Sequence, residues 1–284
     1  MSRTVYVNGE YLAEEDAKIS IFDRGFLFAD GVYEVTAVLD GKILEFDGHC
    51  ARLRRSLGEL QLESPVTDAE LLDIHRELIT RNDLVEGTIY LQVTRGAADR
   101  DFVFPKEAEP TLILFTQARS VAQSPTATTG IKVISIPDIR WGRRDIKTVQ
   151  LLAPSLGKME AKSKGCDDAW MVEDGFVTEG TSNNAYIVTK AGTLVTRNLS
   201  NALLHGITRA SVLRMAQEAQ IKIEERPFTI EEAQDAAEAF VTSASTFVYP
   251  VVEIDGTTLG DGTPGPISKR LREIYIDESQ KAAI

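Results

Sequence analysis

The spacing of apolar residues divides the chain into helices and strands before any chemistry is considered. Leu53, Leu57 and Leu60 stand at i, i+4 and i+7, so 49–62 reads as an amphipathic helix. Leu71, Leu72, Ile74, Leu78 and Ile79 repeat the pattern over 67–84, where Thr67 or Asp68 can cap the start. His75, inside this second helix, is expected on its surface. Further helices are predicted over 152–164, 207–219, 230–237 and 267–279. Strand-like runs cover 4–7 and 10–12 around Asn8-Gly9, and 32–39 and 42–46 around Asp40-Gly41, which are hairpin signals. Others cover 88–94, 111–116, 131–136, 168–172, 184–189 and 239–242.

Strands and helices alternate without a strict βαβ repeat, so the expected class is α/β of an α+β-like kind. The stretch 117–130 is polar, with a Pro and a Gly, and reads as a linker. The expected organisation is an N-terminal domain over 1–117, a linker over 118–130, and a C-terminal domain over 131–284 that includes Lys147.

Composition narrows the function. There are 31 Lys and Arg against 43 Asp and Glu, a net charge of -12, which argues against a nucleic-acid binder. The longest apolar runs, such as Leu112-Ile113-Leu114-Phe115, fall far short of the ~20 residues of a membrane span. No signal peptide is read at the N-terminus, and two cysteines fit a reducing compartment. A cytoplasmic protein is therefore expected. Three scattered histidines give no metal-ligand spacing, and neither a dinucleotide fingerprint, a P-loop nor a Gly-x-Ser-x-Gly elbow occurs.

Four segments put polar groups at element ends within apolar surroundings. In Asp145-Ile146-Lys147 the lysine is flanked by apolar residues, and a partly buried lysine can serve as nucleophile or base. Glu179 lies beside Gly180 and small hydroxyl residues, where a ligand can come close. Gly206-Ile207-Thr208 opens a helix and offers free N–H groups to a phosphate-sized anion. Thr242-Ser243-Ala244-Ser245-Thr246 offers more hydroxyls and N–H groups. A lysine, an acid and two anion nests together suit pyridoxal phosphate, although each segment alone also reads as ordinary surface structure.

Taken as a set, these motifs, with His49-x-x-Arg52-Leu53 and Thr178-Glu179-Gly180-Thr181-Ser182-Asn183, resemble those of the fold type IV pyridoxal-phosphate transaminases, nearest the D-amino-acid transaminases. The resemblance covers essentially the whole chain. It implies two α/β domains with the cofactor in the cleft between them, and a homodimer. It implies that Lys147 is the catalytic Schiff-base lysine, that Glu179 pairs with the pyridine nitrogen, and that Arg52 binds phosphate. Ile207, Thr208, Ser243 and Ala244 match the phosphate cup. Ser182 matches a hydroxyl near the cofactor, Leu204 packs on its ring, and Arg140 is a nearby arginine.

On the substrate side the resemblance makes Tyr33 and Arg100 ligands of the α-carboxylate. The family's usual histidine is Phe102 here, which removes one donor and gives that wall an apolar character. The implied reaction is ping-pong transfer of an amino group from a D-amino acid such as D-alanine to a 2-oxo acid, 2-oxoglutarate or pyruvate. Alternatives within the fold are an (R)-selective amine transaminase, a branched-chain L-amino-acid transaminase and an aminodeoxychorismate lyase. A non-catalytic binding protein is the alternative outside it.

Overall fold

Asn8 and Gly9 adopt φ of 47° and 100°, the left-handed pair of a type I′ turn, and fold β1 (Thr4–Val7) onto β2 (Glu10–Ala13). The computed structural model describes residues 2–284. The sequence reading leaves out α1 (Arg24–Phe28), a single turn whose N-cap, Asp23, accepts the Gly25 N–H. β3 (Gly31–Leu39) turns through Asp40-Gly41 into the short β4 (Lys42–Ile43). The first long helix, α2 (Phe46–Glu59), starts three residues ahead of the expected position. α3 (Asp68–Arg81) is closed by a capping box in which Thr67 and Glu70 satisfy each other's N–H groups. β5 (Gly87–Thr94) and β6 (Thr111–Ala118) complete an antiparallel sheet in the order β2-β1-β6-β5-β3-β4. α2 and α3 bury Leu53, Leu57, Leu71 and Leu78 in one core with Ile89, Leu91 and Leu114.

His75 departs from expectation. It is buried in that core, its Nδ1 2.7 Å from the Leu71 carbonyl and its ring edge-on to Phe46. Burial lowers its pKa to about 4, with the Leu71 carbonyl opposing. Its place on the inward stripe, one residue after Ile74, outweighs its polarity.

The expected linker holds a short helix, α4 (Pro125–Thr129), and leads into β7 (Ile131–Pro137). There follow α5 (Leu152–Ser163), β8 (Asp168–Glu173), β9 (Phe176–Gly180), β10 (Asn184–Val188) and β11 (Leu194–Thr196). Then come α6 (Ile207–Glu218), β12 (Ile223–Glu225), α7 (Ile230–Gln234), β13 (Glu238–Ser243), β14 (Phe247–Ile254), β15 (Thr257–Thr258) and α8 (Pro266–Ala282). The sheet runs β12-β11-β10-β13-β14-β7-β8-β9, with β15 on β14. It is mixed, parallel where β7 meets β8 and β14, and antiparallel from β14 through β10. Its core gathers Val133, Trp170, Ile187, Val241 and Ile254.

The chain forms two units. One takes it as far as Ser120, together with Ile146–Gln150 and Ala282–Ile284. The other takes Val121–Asp145 and Leu151–Lys281. Lys147 therefore belongs with the first unit, not with the region after 131 to which the sequence reading assigns it. The cause is backbone pairing. The Tyr33 N–H donates to the Lys147 carbonyl, the Val149 N–H donates to Gly31, and Thr148 bridges Val32, so these residues cover an edge of β3. Among the described residues no helix is long and apolar enough to cross a membrane.

Candidate active site

In the first unit one face of α2 builds the site. His49, Arg52 and Ser56 stand at i, i+3 and i+7 and so point the same way. Ser56 Oγ accepts the Lys147 N–H at 3.3 Å. Arg52 grips Glu34 on β3 with two bonds, Nε to Oε1 at 2.8 Å and Nη2 to Oε2 at 2.7 Å. His49 Nδ1 lies 2.8 Å from Oε2. All three side chains are buried. Burial alone would raise the Glu34 pKa; Arg52, seconded by His49, overcomes it and holds the carboxyl at about 2.

Alternation along β3 sends Tyr33 to the other face from Glu34. The Lys147 Nζ stands 4.1 Å from the Tyr33 ring centroid. That ring stacks on Tyr90, and Tyr90 on Phe115, giving the amine a rigid aromatic platform across three strands. Lys147 is half-buried and thus still reachable. Arg100 and Phe102 lie together in the connection between β5 and β6, both exposed. The Arg100 guanidinium sits 5.3 Å from the Phe28 ring and 5.7 Å from that of Phe102. Arg24 packs on the same Phe28 at 4.5 Å and donates to the Asp101 carbonyl, which braces this connection.

The second unit centres on Glu179, buried near the end of β9. Its carboxylate accepts Arg140 Nη1 at 2.5 Å, Asn184 Nδ2 at 3.0 Å and the Leu204 N–H at 3.1–3.2 Å. Burial pushes its pKa up, against the downward pull of Arg140 and the Leu204 N–H. Asp138 takes the other edge of Arg140, at 2.9 and 2.7 Å, and fixes the guanidinium. Asn184 also donates to the Leu204 carbonyl at 2.9 Å, so it joins β10 to the loop that opens α6. Gly206 is the α6 N-cap, with no side-chain cap bond. A Cβ there would overlap Asn184 Oδ1, so only glycine brings this N-terminus so close to the Glu179 network.

Arg140, Glu179 and Leu204 thus share one hydrogen-bonded cluster. Ile207 and the buried Thr208 open α6, and Ser243 and Ala244 sit half-buried where β13 turns into β14. Ser182 is exposed in the turn between β9 and β10 and takes no part in the cluster. Sequence reasoning missed Glu34, Ser56 and Asn184. Glu34 is an acid inside an apolar strand, which was a legible sign of a buried pair; Ser56 and Asn184 carry no such sign.

Comparison with known proteins decides the family. The family model for amino-transferase class IV matches residues 31–254. The chain belongs to the class IV aminotransferases. A D-alanine aminotransferase of Staphylococcus haemolyticus is 38% identical to this class IV aminotransferase over 270 residues, 95% of each chain. One of Staphylococcus epidermidis is 38% identical over 281 residues, 99% of each. The solved branched-chain amino acid aminotransferase of T.th. with pyridoxamine 5'-phosphate shares the fold at a TM-score of 0.90 and 25% identity. The match covers 99% of this chain and 95% of that one.

Proposed function

We propose that this class IV aminotransferase moves the amino group of a D-amino acid such as D-alanine to a 2-oxo acid, using pyridoxal phosphate. The observation that carries the reading is the Lys147 amine, half-buried and set 4.1 Å from the ring of Tyr33, one of the two residues assigned to the substrate carboxylate. The donor set fits the cofactor. A buried acid suits a pyridine nitrogen, an uncapped helix N-terminus beside Thr208 and a Ser243 turn suit a phosphate, and an accessible lysine suits an aldehyde.

Bound pyridoxal phosphate supplies an electron sink for the α-carbon. Lys147 Nζ would hold it and, once displaced by the donor, would carry a proton from the donor's α-carbon to the cofactor's C4′ position. With the acceptor oxo acid it would carry one back from C4′ to the α-carbon of the new amino acid. Glu179, whose pKa burial raises, shares a proton readily with a ring nitrogen while Arg140 and Asn184 hold it in place. Arg52, with Ile207, Thr208, Ser243 and Ala244, meets the phosphate. Arg100 on its aromatic bed and the Tyr33 hydroxyl orient the carboxylate. Leu204 packs on the ring, and Ser182 offers a hydroxyl beside it. The protein works in the cytoplasm as a homodimer.

Phe102 favours a second reading, an (R)-selective amine or branched-chain L-amino-acid transaminase. It sets an apolar ring against Arg100 where a second donor is otherwise expected. Single half-reactions with D-alanine, L-leucine and (R)-1-phenylethylamine test both readings. D-alanine should bleach the cofactor absorbance fastest, and the Lys147→Ala variant should have no borohydride-sensitive band. A wild-type protein that takes up no pyridoxal phosphate would end the proposal.

A further inference from the structure

The closing helix α8 has no part in the site just described, yet it reaches both stretches assigned to the phosphate. Arg272 and Tyr275 lie at i and i+3, on one face of α8, and both are buried. The Tyr275 hydroxyl is 3.4 Å from Thr208 Oγ1 at the start of α6. Its ring packs on Phe247, with centroids 5.1 Å apart.

Phe247 is the residue that closes the turn after Ser243. It is fully buried and adopts φ 59°, a left-handed conformation that a bulky side chain holds only when its surroundings enforce it. Arg272 provides that enforcement. Its Nη1 donates to Thr246 O at 2.7 Å and Val248 O at 2.9 Å, the carbonyls on either side of Phe247. Its Nη2 donates to Val121 O at 2.5 Å and Ala122 O at 3.0 Å, tying the turn to the segment that enters this unit. The guanidinium also lies 5.7 Å from the Phe247 ring and 5.5 Å from the Tyr249 ring. On the turn's own side, Ser243 Oγ is 2.8 Å from Thr246 Oγ1.

We infer that Arg272 and Tyr275 are positioning residues that set the two halves of an anion-binding cup from one helix. Arg272 fixes the 243–246 turn through the left-handed Phe247, and Tyr275 fixes the Thr208 hydroxyl. The inference rests on the phosphate assignment made above. Neither side chain touches the ligand. Each acts by holding donors in place, so each affects the phosphate and not the aldehyde end.

The test is the selectivity of the full-length protein for pyridoxal phosphate over pyridoxal, which lacks the phosphate, measured by absorbance titration of the apo form. Tyr275→Phe keeps the ring and should weaken pyridoxal phosphate by about threefold to tenfold, one hydrogen bond's worth. Arg272→Lys keeps the charge but loses the fork, and should weaken it by about tenfold or more. Pyridoxal should bind both variants as it binds wild type. Parallel weakening of both ligands, or no change in either, would overturn the inference and leave the phosphate assignment standing. A wild-type protein that does not prefer the phosphorylated ligand would overturn the assignment itself. If Arg272→Lys does not fold, Tyr275→Phe decides.

Discussion

Glu34 is the residue on which the buried guanidinium of Arg52 depends. Arg52 and His49 both turn toward it, and neither is accessible enough to be satisfied by water instead. Its carboxyl, at about 2 when folded, would sit near about 4.3 in an unfolded chain. A carboxyl lowered by folding stabilises fully above its unfolded value, and the contribution disappears as the pH falls through about 2. Glu34→Gln removes the carboxylate that Arg52 grips with two hydrogen bonds and should cost about 3–5 kcal/mol in urea unfolding at neutral pH. An unchanged midpoint would show that the pair is not needed. His75 titrates in a separate window. Burial lowers it to about 4, below the unfolded value of about 6.5, so its contribution is complete above 6.5 and is lost on acidification through about 4. His75→Leu should therefore flatten the fall in urea midpoint between those values, and a slope that persists would assign it to other groups. Lys147 and Glu179 were legible because they stand in dense local motifs. Asn184 and Ser56 were not, since each meets its partner only after folding brings distant segments together; Glu34, an acid in an apolar strand, hints at a buried pair but not at which residues complete it.

Elements were legible where one segment decides its own structure. The leucine spacing of α2 and α3 and the Asx-Gly turns are local facts, and their fold follows from them. β14 is absent from the sequence reading, and it contains Pro250, a residue that ordinarily weakens a strand assignment. The structure accommodates it, because pairing with β7 begins at Val251 and Pro250 faces only β13, opposite Phe240. β11 and β12 have three residues each, too few for a period to show. α6 shows the limit differently. Its start was readable, but the reason for Gly206 was not, because its φ of -65° suits any residue. What forbids a side chain is Asn184, a neighbour from β10. Gly206→Ala should push Asn184 off Glu179 and raise the dissociation constant for pyridoxal phosphate by about tenfold or more, a lost charge-assisted hydrogen bond. The helix content by circular dichroism should stay the same. Wild-type affinity in that variant would mean that the neighbour yields at no cost.

The largest correction concerns the whole chain, since Lys147 leaves its own neighbours to pair with β3. No periodicity announces a segment so short crossing from one unit to the other. The proposed dimer raises a physical question at the same scale, because each copy carries -12 and two copies repel. Ion pairing is therefore a poor driving force, and α5 points to another. Its inward face is small: Gly157 lies so close to Ile136 that a Cβ would not fit, and Ala161 is fully buried. Its outward face is large and apolar, with Leu152, Leu156 and Met159 at i, i+4 and i+7 and 74%, 55% and 67% exposed. An apolar face of this kind on so acidic a chain suits the contact of the proposed dimer. A second copy offers the same apolar face. Contact through it should tighten with salt, which screens the repulsion and leaves apolar burial intact. Sedimentation equilibrium should thus give a dimer dissociation constant that falls as ionic strength rises from about 0.02 M to 0.5 M. Leu156→Glu with Met159→Glu should yield monomers at concentrations where the wild type is paired. A dimer that loosens with salt would instead be held by ion pairs, and the α5 face would not be its seat.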